Sequence, residues 1–182
     1  ISDGIDHYSE IKNEYFKYDQ KIFENLHNLK NKIFKLNDLK KNENEINLLE
    51  KEITLFHAKI VNKILKSIDN KIDFIGFHGQ TIFHNSKEKI SKQLGDGNLL
   101  SQLTRHTVVF DFRQNDIKNG GEGAPLTPIF HKLITNKKKI KSPVCILNIG
   151  GITNVTLIEK KDKNSFISKY IHSYDKCSIS LV

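Results

Sequence analysis

Apolar residues recur at helical spacing in two segments of the first third of the chain. They fall three and four positions apart in residues 19 to 36, and a stronger stripe of the same kind runs through residues 45 to 68. The two stripes are formed by Ile22, Phe23, Leu26, Leu29, Ile33 and Phe34, and by Ile46, Leu49, Ile53, Phe56, Ile60, Ile64 and Ile68, the second widened by Leu48, Leu55, Val61 and Leu65. Stripes of this width predict helices that pack on a sheet. Residues 37 to 44 are polar and predict a break between the helices.

From residue 71 onward the apolar runs become short and alternate with turn residues. Strands are predicted at residues 73 to 77, 81 to 84, 90 to 94, 107 to 112, 144 to 148, 154 to 159 and 166 to 171, the last two as an antiparallel pair. Short helices are predicted at residues 99 to 104 and 125 to 134. Helices followed by alternating strands and helices favour an α/β or α+β sheet with helices packed on it.

Charge raises one alternative. The chain carries 29 Lys and Arg against 21 Asp and Glu, a net charge of +8, and a basic domain can bind nucleic acid through phosphate contacts alone. The lysines are spread along the chain, however, and no aromatic side chains accompany them in a surface pattern. We therefore favour a solvated basic surface and no nucleic-acid partner, and keep a non-enzymatic nucleic-acid-binding protein as the alternative.

Cysteine usage and hydropathy bear on the compartment. Cys145 and Cys177 match no disulfide framework and no metal-site spacing, which favours a reducing cytoplasm. No apolar run approaches the roughly 18 residues needed to span a bilayer. No signal peptide is recognisable, so the sequence predicts a cytoplasmic protein with no membrane partner.

The segment His78-Gly79-Gln80-Thr81 ends a predicted apolar strand. A histidine and an amide side by side can bind sugar hydroxyls or a carboxylate, and ligand-binding residues often lie on such loops. The other interpretation is a histidine that only caps the strand. Ligands of open α/β sheets bind outside the carboxyl ends of strands, where most of the polar clusters of this chain are predicted.

A second cluster, Asp111-Phe112-Arg113, also ends a predicted buried strand. Strand alternation predicts that Asp111 and Arg113 share one side while Phe112 enters the core. An arginine at a strand end can bind an acidic ligand through two hydrogen bonds, whereas a structural Asp–Arg pair is the alternative. Arginine is otherwise present only at Arg105, which favours the functional interpretation.

Three glycine-containing segments are weaker candidates. The loop from Gly120 to Pro125 opens onto a predicted helix, where backbone N–H groups could meet an anion. Residues 147 to 155 carry the Gly150-Gly151 pair, which suits close approach of a ligand or an ordinary hairpin. Residues 3 to 6 predict an acidic turn, which could hold a magnesium–phosphate group or be only a turn.

Four segments in order, IGFHGQTIFH, QLGDGNLLSQLT, DFRQNDIKNGGEGAPLTPIFH and LNIGGITNVTLI, resemble the amino-terminal half of anhydro-N-acetylmuramic acid kinases. The resemblance covers about residues 45 to 175, with a remnant at residues 3 to 6. It implies an actin-like ATPase (ribonuclease H-like) lobe, with a mixed sheet packed with helices. It also implies an enzyme that uses ATP and magnesium, adds water across the 1,6-anhydro bond of the sugar and phosphorylates O6, giving N-acetylmuramic acid 6-phosphate in cell-wall recycling.

The resemblance also implies roles for individual residues. Nucleotide-binding positions are Asp3, Gly4 and Asp6 of the phosphate loop, and Asn148, Gly150 and Gly151 of the hairpin beside the nucleotide cleft. Sugar-binding positions are His78, Gln80, Thr81, Asp111 and Arg113, with the arginine facing the sugar acid. Asp175 matches the catalytic base, which takes a proton from water or a hydroxyl. No protein metal ligand is predicted.

The resemblance further predicts a single amino-terminal kinase lobe over residues 1 to 182, incomplete at both ends. Residues 1 to 18 would be the truncated phosphate loop and first strand, residues 19 to 70 a helical segment, and residues 71 to 182 the sheet with its motif loops. We expect the amino sugar and ATP as partners, a possible homodimer, and no measurable kinase activity from the isolated chain. A non-catalytic sugar-binding remnant is the remaining alternative.

Overall fold

The computed structural model describes residues 7–148, 154–162 and 165–169. The chain divides into two compact units, one formed by Glu14–Ala124 and the other by Ile1–Asn13 with Pro125–Val182. Both units combine helices with short strands, so the predicted α/β character is confirmed. Among the described residues the strands form three small sheets rather than one continuous sheet.

The unit Glu14–Ala124 contains five helices within the described residues. They are α1 (Gln20–Lys30), α2 (Leu36–Lys41), α3 (Glu43–Leu65), α4 (Gly97–Thr104) and α5 (Phe112–Lys118). The helix α1 begins where Asp19 accepts a hydrogen bond from the backbone N–H of Ile22 at 2.9 Å, an ordinary N-cap. The helices α1 and α3 confirm the two long helices predicted from the apolar stripes, although α1 ends six residues before the end of the predicted segment.

The predicted polar break at residues 37 to 44 is wrong, because α2 occupies most of it. Polarity does not prevent this helix, since a carboxylate in its first turn satisfies the two backbone donors that immediately precede it. Asp38 Oδ2 accepts hydrogen bonds from the N–H groups of Phe34 and Lys35, each at 3.1 Å. Phe34, predicted to join the apolar face of the first helix, is 79% exposed and lies beyond the end of α1.

The main core of this unit lies where α1 and α3 pack on two strands, β2 (Gln80–Asn85) and β3 (Ile90–Leu94). Its buried side chains are Ile22, Leu26, Leu29, Ile33, Ile46, Leu49, Ile53, Ile82, Phe83 and Leu94. The strands β2 and β3 are antiparallel neighbours. Four of the six residues of the first predicted stripe enter this core, whereas the second stripe contributes the buried Ile46, Leu49 and Ile53. Removal of this apolar surface from water stabilises the helix pair on the hairpin. The predicted widening of the second stripe is wrong at Leu48 and Leu55, which are 69% and 45% exposed.

A second, parallel pair joins β1 (Ile75–Phe77) to β4 (Val108–Phe110). Parallel strands require a crossover connection, and here β2, β3 and α4 lie between them in the chain. The prediction of a buried strand over residues 107 to 112 is partly wrong. The strand ends at Phe110, which is 38% exposed, and Phe112 is 36% exposed at the start of α5.

The other unit contains α6 (Pro128–Lys137), whose proline stands in the first turn where its missing N–H costs nothing. Three antiparallel strands follow, β5 (Val144–Asn148), β6 (Asn154–Asp162) and β7 (Ser165–Lys169), and they confirm the predicted antiparallel pair. Cys145 is a free, exposed thiol. Among the helices of the described ranges, none combines the length and apolarity that a membrane crossing requires.

Candidate functional site

The candidate site lies at the carboxyl ends of β1 and β4. Phe77 and Phe110 are register partners in this parallel pair, so His78 and Asp111 leave the two strands at the same edge. Open α/β sheets bind ligands at such edges. The structure therefore brings the two sequence segments predicted to bind sugar to one place.

A direct hydrogen bond links these segments. Arg113 Nε donates to His78 Nε2 at 2.9 Å, and His78 Nδ1 lies 3.0 Å from the carbonyl oxygen of Gly79. Because a guanidinium only donates, His78 Nε2 must carry its lone pair. The ring is then neutral, with its proton on Nδ1, and donates to Gly79. In this arrangement His78 positions the guanidinium.

Arg113 lies on α5 and not on the strand, so the predicted strand alternation of Asp111 and Arg113 is wrong. The reason is the backbone of Asp111, which adopts φ of 59° and turns the chain into the helix. The alternative of an Asp–Arg pair is not observed either: among the described residues, no carboxylate forms an ion pair with Arg113. Its second partner is the carbonyl oxygen of Gly123, 2.7 Å from Nη1.

The guanidinium is consequently a half-buried positive charge bound only by neutral groups. Burial lowers the pKa of Arg113, but an arginine remains protonated in proteins. Two of its five N–H groups are used by His78 and Gly123, which leaves donors for a ligand. A partly desolvated, unpaired guanidinium favours an anion, and a carboxylate can accept two parallel hydrogen bonds from it.

Asp111 supplies an exposed carboxylate next to this charge in sequence. Its backbone carbonyl accepts from Asn115 N at 3.0 Å at the start of α5, while its side chain makes no capping bond. A non-glycine residue with positive φ is strained by about 1–3 kcal/mol and is often found at functional sites. The carboxylate oxygens of Asp111 can thus accept hydrogen bonds from ligand hydroxyl groups.

The glycine loop that follows α5 does not have the predicted anion-binding donors. Gly120 N donates to Ile117 O, Gly121 N donates to Asp116 O at 2.9 Å, and Gly123 N donates to Asp116 Oδ2 at 2.8 Å. The N–H groups of all three glycines are therefore satisfied by acceptors on α5. Its role is structural, since it presents the Gly123 carbonyl oxygen to Arg113.

Gln80 and Thr81 turn to different partners. Gln80 Nε2 donates to Tyr18 Oη at 3.0 Å, and that hydroxyl lies 2.9 Å from Nε2 of His57. Thr81 Oγ1 accepts from Gln93 at 3.3 Å. Gln80, Tyr18 and His57 line a groove of about 830 Å³, whereas His78 and Arg113 are not among its lining residues.

Two glycines hold the His78 and Asp96 loops together. A Cβ at Gly79, whose φ is +67°, would lie 2.3 Å from the carbonyl oxygen of Leu94, and one at Gly95 would lie 2.7 Å from the Phe77 ring. Only the absence of a side chain permits this close packing. The motifs HGQT and LGDG therefore pack against each other, although the whole of β2 and most of β3 lie between Gly79 and Leu94 in the chain.

The helix α3 fixes this turn from the other side. Glu50 Oε1 accepts from Gly95 N at 3.2 Å and from Lys92 Nζ at 2.9 Å, and Thr54 Oγ1 accepts from Asp96 N at 3.0 Å. Sequence reasoning missed Glu50 along with Tyr18 and His57. Their partners lie 39 or more residues away, so no local pattern could indicate them.

The predicted nucleotide side is mostly outside the described residues. Asn148 ends β5 in the other unit and is exposed. The remaining positions lie outside the described ranges, and their roles stay predictions: Asp3, Gly4, Asp6, Gly150, Gly151 and Asp175. Within the part of the chain that the structure describes, no group of three or more His, Cys, Asp or Glu side chains could hold a metal ion.

Most of the chain matches a family of sugar kinases. Residues 3–166 match the family model described as Anhydro-N-acetylmuramic acid kinase, which places the chain among the sugar kinases. A relative of that name from Pelagibacter ubique (strain HTCC1062) is 56% identical over 167 residues, or 92% of this chain and 44% of the relative. The chain belongs to the anhydro-N-acetylmuramic acid kinase family.

More distant relatives bear the same name. The protein from Rhizobium etli is 41% identical over 127 residues, covering 68% of this chain and 34% of that protein. The protein from Methylobacterium nodulans is 45% identical over 112 residues, covering 60% of this chain and 30% of that protein. The chain thus spans less than half the length of each of these curated relatives.

Proposed function

We propose that this chain forms the sugar-acid side of an ATP-dependent kinase of 1,6-anhydro-N-acetylmuramic acid. The observation that carries the proposal is the half-buried guanidinium of Arg113, bound only by His78 and the Gly123 carbonyl. An acidic sugar supplies the carboxylate that such a guanidinium lacks. Membership of the anhydro-N-acetylmuramic acid kinase family supports this substrate, together with an actin-like ATPase fold of the complete lobe.

Each residue at the edge of the β1–β4 pair has a separate task in this proposal. Arg113 binds the substrate carboxylate with its remaining N–H groups, while His78 prevents the guanidinium from rotating. Asp111 accepts hydrogen bonds from sugar hydroxyls. Together they orient the anhydro bridge, and such positioning converts binding energy into rate.

The proposed reaction adds water across the 1,6-anhydro bond and transfers the γ-phosphoryl group to O6. The water oxygen becomes the hydroxyl at C1, and the C1–O6 bond breaks. O6 forms the new bond to phosphorus while the bond from the γ-phosphorus of ATP to the β,γ-bridging oxygen breaks, and ADP leaves. Asp175 would accept the proton that water releases. Bound ATP supplies the phosphoryl group, and magnesium neutralises charge on its phosphates. Asp3, Gly4, Asp6, Asn148, Gly150 and Gly151 are the proposed nucleotide-binding positions.

The amino sugar and ATP are thus the proposed small-molecule partners. A cytoplasmic location is proposed because the cysteine pattern suits a reducing compartment. A homodimer remains a prediction, which light scattering on the purified protein would test.

The proposal is tested with the protein expressed from its complete reading frame, and with a chimera in which this chain replaces the matching segment of the Pelagibacter ubique relative. Phosphorus NMR should show ATP-dependent conversion of 1,6-anhydro-N-acetylmuramic acid to N-acetylmuramic acid 6-phosphate. The Arg113→Lys variant should retain ATP binding and lose sugar affinity. A folded chimera that binds ATP but leaves the sugar unchanged would contradict the proposal.

A further inference from the structure

We infer that Tyr18 and His57 are positioning residues that hold the carboxamide of Gln80 with its oxygen presented as a hydrogen-bond acceptor to the sugar. This inference rests on the proposed function, because Gln80 belongs to the predicted sugar-binding segment. It concerns two residues outside that segment. The juxtaposition that carries it is a continuous hydrogen-bond chain from Gln80 Nε2 through Tyr18 Oη to His57 Nε2, with distances of 3.0 and 2.9 Å.

The direction of these hydrogen bonds follows from which atoms can donate and which can accept. The amino group of Gln80 can only donate, so the hydroxyl oxygen of Tyr18 accepts from it. The single proton of Tyr18 is then directed at His57 Nε2, which must carry a lone pair. His57 is therefore neutral with its proton on Nδ1. If the hydrogen bonds ran in the opposite direction, His57 would have to be protonated at Nε2 and the carboxamide of Gln80 would have to be flipped.

The surroundings of the hydrogen-bond chain favour the uncharged forms of Tyr18 and His57. Burial raises the pKa of the Tyr18 hydroxyl, and burial lowers the pKa of the His57 imidazole. Both shifts keep the two groups uncharged near neutral pH, as this hydrogen-bond pattern requires. Tyr18 packs against Phe56, with ring centroids 4.8 Å apart. The His57 ring contacts the rings of Phe56 and Phe77, with centroids 5.9 and 5.1 Å away, and these contacts restrict rotation of the imidazole.

In this arrangement the carboxamide oxygen of Gln80 is available to accept a hydrogen bond from a ligand. Among the described residues, no group donates a hydrogen bond to Gln80 Oε1. Gln80 lines the groove of about 830 Å³ together with Phe16, Phe23 and Phe56. His78 of the Arg113 site lies two residues before Gln80 in the chain, so we assign the sugar carboxylate to Arg113 and another polar group of the sugar to this groove. An acceptor beside aromatic surface selects an N–H or O–H donor, such as an acetamido group or a sugar hydroxyl. A carboxamide free to flip would present either atom and discriminate less.

The orientation is tested first, independently of any ligand. Long-range ¹H–¹⁵N spectra of the full chain with labelled histidine report which ring nitrogen of each imidazole carries the proton. His57, assigned by loss of its signals in His57→Gln, should be the Nδ1–H tautomer. The Tyr18→Phe variant should shift the His57 Nε2 resonance, because its hydrogen-bond donor is lost. An Nε2–H tautomer would overturn the inference, since the carboxamide would then present its amino group.

The role of this hydrogen-bond chain in sugar binding is tested by kinetics on the protein expressed from its complete reading frame. Tyr18→Phe and His57→Leu should raise KM for the anhydro-sugar about tenfold, the effect of losing one well-placed hydrogen bond, with kcat within about twofold. His57→Gln should restore KM, because the glutamine oxygen can accept from Tyr18 where Nε2 does. If the role of the two residues were purely structural, all three variants would have a lower midpoint of thermal unfolding. His57→Gln and His57→Leu would then have the same KM.

The outcomes separate this inference from the proposed function. Wild-type turnover with unchanged KM in Tyr18→Phe would overturn the positioning role alone. Wild-type protein that neither binds nor phosphorylates the sugar would overturn the proposed function. It would also overturn the role of the hydrogen-bond chain in sugar binding. An Nδ1–H tautomer, raised KM in Tyr18→Phe and recovery in His57→Gln would together support the inference.

Discussion

Arg113 donates its Nε–H to Nε2 of His78 over 2.9 Å, and this contact joins two segments that are 35 residues apart in the chain. The parallel pairing of β1 with β4 makes the contact possible, because it places the ends of both strands at one edge. The hydrogen bond orients a positive charge that has no carboxylate partner among the described residues. This relationship leads to the first of four predictions.

The substitution Arg113→Lys should weaken binding of the sugar acid. A lysine ammonium keeps the charge but lacks the planar fork that reaches both His78 and the Gly123 carbonyl. Loss of charged hydrogen bonds of this kind costs about 1.5–3 kcal/mol, or roughly tenfold to hundredfold in affinity. Calorimetric titration with the anhydro-sugar measures the change. Arg105→Lys is the matched control, and equal losses in both variants would contradict a specific role of Arg113.

The substitution Gly79→Ala should destabilise the unit Glu14–Ala124. Its φ of +67° disfavours alanine, and the added Cβ would lie 2.3 Å from the carbonyl oxygen of Leu94. Strain of this kind costs about 1–3 kcal/mol, and the backbone contact adds to it. Chemical denaturation measures the free energy of unfolding. Gly120→Ala is the control, since its φ is +89° and its Cβ would meet nothing within 4 Å. The idea fails if both variants lose the same stability.

The substitution Glu50→Ala should loosen the Gly95–Asp96 turn. It removes the acceptor of Gly95 N and Lys92 Nζ, and unsatisfied donors in partly buried positions cost about 1–3 kcal/mol. Hydrogen exchange at Gly95 and the unfolding midpoint report the effect. Glu52→Ala on the same helix removes an exposed pair with Lys21 and should change stability little. Comparable losses from the two substitutions would argue against the proposed anchoring role of Glu50.

Stability should fall as the pH is lowered through the titration range of His57. Burial holds the pKa of His57 below its ordinary value of 6.5 in the folded chain. Below 6.5 the unfolded chain binds the proton first, so the free energy of unfolding decreases until the folded pKa is passed and is unaffected by this group above 6.5. NMR titration of His57 should give the lowered value. His57→Gln should reduce the pH dependence of stability, and a titration at or above 6.5 would contradict the prediction.

Local pattern was enough to predict most of the helices and strands. The apolar stripe of α3 placed Ile46, Leu49 and Ile53 in the core, and the turn residues located β2, β3 and the final antiparallel strands. Periodicity failed where capping decided the outcome. It missed α2, where Asp38 accepts from the backbone donors just before the helix, and α5, which begins at the left-handed backbone of Asp111.

By itself, the sequence determined the family, the order of most of the elements and the identity of the polar residues at strand ends, because motifs and periodicity are local properties of a chain. Only the tertiary structure decided their partners. It joined Arg113 to His78 through a parallel strand pair, and it turned Gln80 toward Tyr18 and His57. Such contacts depend on strand register and helix packing, which bring distant residues within 3 Å of each other and leave no local signal in the sequence.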